Sequence, residues 1–265
     1  MKSLKTLYIG AGILGTLIVA AIFAPLVTSY DPTEQDLMQT LSGPTGAHWL
    51  GTDALGRDVF SRLIYGARVD LTIGVLAVLL PFIIGVSLGL MTGWFGGKFD
   101  SSVMRVVDTV IAFPFYVLAI ALVFIFGPGV KSIIVAITLV GWVAYCRIVR
   151  ANVLVAKELD YVHAARLTGL PTRRILRRHL LPNVISQAIV FSMSDIVLSI
   201  LAIVSLGYLG LGVPIPTAEW GSMIQEGQPY ILQQWWLATI PGFMVVIVGF
   251  ALSLIGDGLV ARLER

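Results

Sequence analysis

The chain has 265 residues, of which 57% are hydrophobic and only 12% charged, against about 45–50% apolar and about 25% charged residues in a soluble domain. So little charge cannot coat a water-facing globule of this size, which excludes an ordinary soluble domain and predicts an all-α polytopic membrane protein. The net charge of +3, from 18 basic and 15 acidic residues, therefore matters less in total than in where it falls. One cysteine, Cys146, excludes an intrachain disulfide and reads as a small packing residue in an apolar stretch.

Lys2 and Lys5 precede an uncharged run from Thr6 to Tyr30. Its apolar part, Leu7 to Val27, exceeds the roughly 7–15 residues of a signal-peptide core, so residues 1–30 are predicted to form a retained transmembrane anchor. Residues 31–69 follow as an extracytoplasmic loop that opens polar and acidic and then reaches Gly51-Thr52-Asp53-Ala54-Leu55-Gly56-Arg57-Asp58. Beyond it Val59, Phe60, Leu63, Ile64 and Ala67 share one helical face, with Asp58, Ser61, Arg62, Tyr65 and Arg68 elsewhere. That pattern predicts a short amphipathic helix lying in the membrane interface. Residues 70–265 are predicted to form a five-helix core, in which runs free of Asp, Glu, Lys and Arg extend over 71–97, 109–130, 196–218 and 227–256. Each reaches the roughly 20 residues that cross a bilayer. Six spans fit, at about 7–27, 70–92, 105–126, 131–150, 185–212 and 236–257. The fourth is short, with Arg147 and Arg150 at the membrane edge. Asp108, three residues after Arg105, reads as half of a local ion pair.

Placing the amino terminus in the cytoplasm puts 14 of the 18 Lys and Arg residues on that side, Arg262 and Arg265 included, together with Glu264. This satisfies the positive-inside rule, and both termini are predicted to be cytoplasmic.

The cytoplasmic connection, residues 151–183, is the most basic part of the chain. It reads as a helix from about Lys157 through Ala164 and Ala165, a left-handed cap at Gly169, Pro171 in a first helical turn, and a second helix from Arg173 that ends near Pro182. Two adjacent alanines leave a low surface that another protein can approach closely. A solvated basic loop that only enforces orientation fits the same composition. A nucleic-acid patch over Arg173–Arg178 does not, because the run lies between spans and lacks stacking aromatics.

His163-Ala164-Ala165, Gly169 and Leu181-Pro182 keep the spacing of the Glu-Ala-Ala signature of ABC importer permeases, which the chain resembles. His48-Trp49-Leu50-Gly51-Thr52-Asp53, Arg178-His179-Leu180-Leu181-Pro182-Asn183, Pro216-Thr217-Ala218-Glu219-Trp220-Gly221 and Gly256-Asp257-Gly258-Leu259 look like the peptide and nickel branch of that family, closest to its second, "C", permease component. The resemblance spans about Asp31 to Leu263. It implies a type I ABC importer permease fold in the bacterial inner membrane, pairing with a homologous second permease subunit, two cytoplasmic ATPase subunits and an extracytoplasmic substrate-binding protein. ATP and Mg would then be bound by the ATPases, with no cofactor in this chain. His163, Ala164, Ala165, Gly169, Leu181 and Pro182 would form the ATPase-coupling element, Ala164, Ala165 and Gly169 making the close contact. His163 stands where the signature has Glu, so charge pairing by that Glu would be lost. Peptides, glutathione-like thiols, opines and nickel chelates all remain open as substrates.

The chain has no phosphate-binding Gly-x-x-x-x-Gly-Lys-[Ser/Thr] loop, so the energy must come from another subunit. His48, His163 and His179 fall on different sides or loops, which excludes a three-histidine metal site. Within the fifth span Ala188, Ser192, Asp195, Ser199 and Ala202 make a small, polar stripe. Ser192, Asp195 and Ser199 are read as a wall of the translocation path or as a hydrogen-bonded packing cluster, since an ionisable residue at this depth faces the bundle interior either way. Gly207, Gly210 and Gly212 predict close helix packing. Glu219 and Trp220 are read as an interfacial turn or as part of the surface receiving a binding protein. An ATP-independent secondary transporter or channel is the rival class, but it calls for coupling charges in repeated halves, and no repeat is visible.

Overall fold

The computed structural model describes residues 2–263. Met1, Glu264 and Arg265, the last two counted above on the cytoplasmic side, lie outside the described residues. The described chain is built of helices: α1 Lys2–Ile22, α2 Ala24–Val27, α3 Val59–Phe95, α4 Gly97–Ile111, α5 Phe115–Phe126, α6 Val130–Ala156, α7 Asp160–Leu167, α8 Thr172–Ile175, α9 Leu181–Tyr208, α10 Trp220–Gly227 and α11 Trp236–Leu263. Five of them are long and apolar enough to cross a bilayer unbroken, with α8 and α9 running together as one.

Three expectations change. The third span is two helices, α4 and α5, meeting at 92°. Pro114 supplies no N–H and pushes Phe113 out of helical geometry, so the helix stops at Ile111 and restarts at Phe115. The Arg105–Asp108 pair does not form there; Asp100 binds Arg150 instead. The interfacial helix and second span are one helix, α3, whose 37 residues reach about 55 Å at the helical rise. It therefore stands well clear of a hydrocarbon core of about 30 Å. Its first turns are buried on the side expected to meet water: Ser61, Arg62 and Asp70 are enclosed, and only Arg68 is exposed. The second helix of the basic connection does not end at Pro182. α8 passes through a π-helical turn, Leu176–Leu180, into α9, and Pro182 occupies the first turn of α9, where no N–H is required. The widened turn accommodates the ring, and Asn183 Nδ2 donates to the His179 carbonyl at 2.6 Å.

α3 is the central helix and packs on α6 along a seam of small residues. Gly85, Gly89 and Gly93 recur every four residues and let the α6 backbone approach so closely that a Cβ at Gly89 would sit 2.6 Å from the Cys146 carbonyl oxygen. This is how transmembrane helices associate, because lipid gives no hydrophobic drive to pair and contact must come from close backbone packing. Cys146 is buried on this seam, as expected of a packing residue. α1 lies against α11, with Gly10 under Ala251 and Gly258 under Leu7. The α7 turn and the α3–α4 corner share one end of the bundle, and α10 with the 31–58 segment shares the other.

Candidate functional site

At one end, α7 presents two faces. Val162 and Ala165 are buried with Val153, Ile175 and Leu180 in the cluster that also takes Val86 and Leu90 of α3. His163, Ala164 and Leu167 face out, Leu167 being 89% exposed. The helix ends as the sequence predicts. Gly169 has φ +72°, its N–H donates to the Arg166 carbonyl, and Leu170 N–H donates to the Ala165 carbonyl, a Schellman closure. A Cβ at Gly169 would meet nothing within 4 Å, so the glycine is required for its backbone angle and not for space. Of the two alanines expected to offer a close approach, only Ala164 does so; Ala165 is core. Leu181 is half-buried against the same cluster and Pro182 is exposed. His163 Nε2 lies 3.8 Å from Glu158 Oε2 on the surface, a pairing worth little there.

Basic residues around this turn grip the neighbouring helix corner. The Arg166 guanidinium lies 4.3 Å from the centre of the Trp94 ring. Lys157 Nζ donates to the Gly93 carbonyl at 3.2 Å. Arg150 donates to both Asp100 oxygens, at 2.5 and 2.6 Å.

In mid-bundle, a cleft of about 410 Å³ opens between the α4–α5 elbow, α6 and α9. Its lining is apolar, with Val110, Phe113, Tyr116, Val140 and Phe191 among its walls, and Asp195 is the charged side chain that reaches it. Tyr145 Oη donates to Asp195 Oδ2 at 2.7 Å, and the Tyr145 ring is held edge-on by Phe82 and Phe191. Asp195 Oδ1 keeps no hydrogen-bond partner among the described residues. The small polar stripe on α9 divides. Ala188, Ser192, Ser199 and Ala202 are buried, Ser192 Oγ donating to its own helix at Ile189, while Asp195 alone of the stripe lines the cleft.

At the other end, Glu219 and Trp220 are both 0% exposed, so their side chains present no surface to another protein and act within the chain. Glu219 caps α10, accepting from Gly221 N–H at 2.6 Å and Ser222 N–H at 2.9 Å. Burial pushes its carboxyl above the usual range, against the opposing pull of those two amides. Trp220 donates from its indole to the Leu63 carbonyl and from its backbone to Asp70 Oδ2, both at 3.0 Å. Gly207 leaves room for the Glu219 carboxylate and Gly212 packs on Gly207, which gives the predicted close packing a specific cause; Gly210 turns the chain with φ +76°. Nearby, Arg57 and Arg62 bridge Asp53 and Glu226, with Arg57 2.7 Å from each and only 2% exposed. His48 joins Asp58 at 2.9 Å and stacks on Tyr30. No local pattern announces the Arg57–Glu226 contact, since 169 residues separate its ends. The four-residue spacing of Gly85, Gly89 and Gly93 is the signal in the sequence that marks the α3–α6 seam.

A family model described as "Binding-protein-dependent transport system inner membrane component" matches residues 85–265, and one described as "N-terminal TM domain of oligopeptide transport permease C" matches residues 2–44. The chain is 40% identical over 265 residues to the dipeptide transport system permease protein DppC of Bacillus subtilis, across 100% of this chain and 83% of that protein. It is 39% identical over 253 residues to the glutathione transport system permease protein GsiD of Pectobacterium atrosepticum, across 95% of this chain and 84% of that protein. Over 258 residues it is 38% identical to the oligopeptide transport system permease protein OppC of Bacillus subtilis, across 97% and 85%. Its fold is similar to that of a chain in an inward-facing structure of the MetNI methionine ABC transporter, with a TM-score of 0.61 at 20% identity over 78% of this chain and 98% of that one. The chain thus belongs to the binding-protein-dependent transport system inner membrane components, as a permease subunit of an ABC importer that carries no ATPase of its own.

Proposed function

We propose that this subunit forms half of the channel of a short-peptide importer, with α7 docking on a cytoplasmic ATPase and the Asp195 cleft lining the path. Similarity to permeases named for dipeptide, oligopeptide and glutathione transport supports the substrate class. The observation that carries the docking assignment is the two-faced α7. Its apolar face is spent inside the chain, and an exposed leucine beside an alanine projects as a knob fit for a complementary groove. The basic residues of this loop orient that end toward the cytoplasm. α10 and the 31–58 segment then face outward, where a binding protein delivers substrate. A homologous second permease subunit closes the cleft, and two ATPases with Mg and ATP drive it.

In the cleft, apolar walls accept peptide side chains of varied shape. The free Oδ1 of Asp195 offers one carboxylate oxygen to a peptide α-ammonium, with Tyr145 fixing the other. The test is ATP-dependent uptake of a labelled dipeptide by the complex reconstituted in vesicles. Gly169→Asp should abolish uptake while the subunit stays in the membrane, and Asp195→Asn should weaken uptake without loss of assembly. A chain recovered alone and transporting without ATP would overturn the assignment.

A further inference from the structure

The end of α3 and all of α4 run continuously from beside helix α7 to the cleft. Trp94 is the penultimate residue of α3, and it stands beneath the Arg166 guanidinium of α7. Just past the helix end, Gly96 and Gly97 take φ +63° and +60° in succession, and a Cβ on either would meet nothing within 4 Å. The corner is thus a two-glycine bend with free space at both Cβ positions. α4 leaves it and runs 15 residues, about 22 Å, to Val110 and Ile111, which line the cleft opposite Asp195.

We infer that the Arg166–Trp94 contact is the positioning element that passes displacement of α7 into the α3–α4 corner, and through α4 into the cleft wall. A cation over a ring face suits this task, because the attraction depends weakly on lateral position and tolerates sliding that would break a directed hydrogen bond. Lys157 on Gly93 and Arg150 on Asp100 tie α6 to the same corner, so a push on α7 meets a braced lever and not a loose loop. Arg166 is exposed, but its guanidinium is turned onto Trp94 within the chain. The inference rests on the docking reading above, and the test separates the two.

The complete transporter, with its ATPases and binding protein, is reconstituted in nanodiscs. Its ATPase rate is measured alone and with binding protein preloaded with dialanine, and a photo-crosslinker at Leu167 reports docking. Arg166→Gln and Trp94→Ala should each keep the crosslink and the unstimulated rate. Each should lower the stimulated rate by about two- to fivefold, the size a partly exposed cation–π contact supports. Arg166→Lys and Trp94→Phe should restore most of it, and the double variant should lose no more than either single one. Arg166 is exposed, so Arg166→Gln remains informative even where Trp94→Ala fails to assemble. Wild-type stimulation in Arg166→Gln, or losses that multiply in the double variant, overturns the inference while docking stands. A wild-type complex whose Leu167 probe captures no ATPase removes the docking reading and this inference together.

Discussion

Replacing Gly89 by alanine adds one methyl group in the middle of the α3–α6 seam. Its Cβ would lie 2.6 Å from the Cys146 carbonyl oxygen, 2.9 Å from Val149 Cβ and 3.1 Å from Arg150 N. Ordinary contact begins at 3.4 Å, so α6 must retreat by about 0.8 Å, and a gap of about 0.5–1 Å forfeits roughly a quarter to a half of each dispersion well along the seam. Overpacking of this kind costs about 1–3 kcal/mol. Alanine also gains up to about 1 kcal/mol in helix propensity, and the control must share that gain. Gly242 on α11 provides it, since a Cβ there meets nothing within 4 Å. The difference between Gly89→Ala and Gly242→Ala is therefore about 1–3 kcal/mol, which at about 2–4 °C per kcal/mol for a chain of this size is roughly 2–12 °C in melting temperature. Thermal unfolding of the assembled transporter, followed by size-exclusion chromatography, reads it directly. A Gly89→Ala subunit melting at or above Gly242→Ala would refute the claim that backbone proximity holds these helices together.

Arg57→Met alone should cost less than the about 3–5 kcal/mol of a broken buried pair, because Arg62 still contacts Asp53 and Glu226, whereas Arg57→Met combined with Arg62→Met strands both carboxylates and should reach that loss; limited proteolysis of the 31–58 segment is the check, and unchanged protection in the double variant would contradict it. Gly169→Asn should retain more uptake than Gly169→Val, since asparagine tolerates the left-handed angle and a β-branched residue does not; equal activity would mean that the turn geometry is dispensable. For Glu219, the folded-state pKa lies above its ordinary 4.5 because of burial. The folded state then holds the proton longer than the unfolded one, and stability falls as pH rises from about 4.5 toward the raised value. Melting curves between pH 4.5 and 8 should show this slope in the wild type and a flatter one in Glu219→Gln; parallel profiles would exclude a buried, proton-holding Glu219.

Of the candidate site, the turn geometry was legible and the directions of side chains were not. Gly169 sits at the left-handed cap because glycine adopts that angle freely, a property of one residue that needs no context. Ala164 and Ala165 are chemically identical, and only the docking of α7 on Val153 and Ile175 decides which of them faces out. The same holds for the α9 stripe, where period and polarity marked five positions but the packing of Phe191 and Tyr145 left only Asp195 in the cleft. The burial of Glu219 and Trp220 was not legible, because the Trp220 partners Asp70 and Leu63 lie about 150 residues away.

The sequence by itself determined the membrane class, the helical content and the charge asymmetry, since these follow from residue counts and from runs longer than a bilayer is thick. It also set the family, through motifs kept in order over nearly the whole chain. Only the tertiary structure decided that α3 is one long helix, that the third span folds at Pro114 around a cleft, and that Arg57, Arg62, Asp53 and Glu226 close into one buried network. Those outcomes depend on contacts between residues far apart in the chain, where the cost of burying each charge is offset only by a partner that folding brings to it.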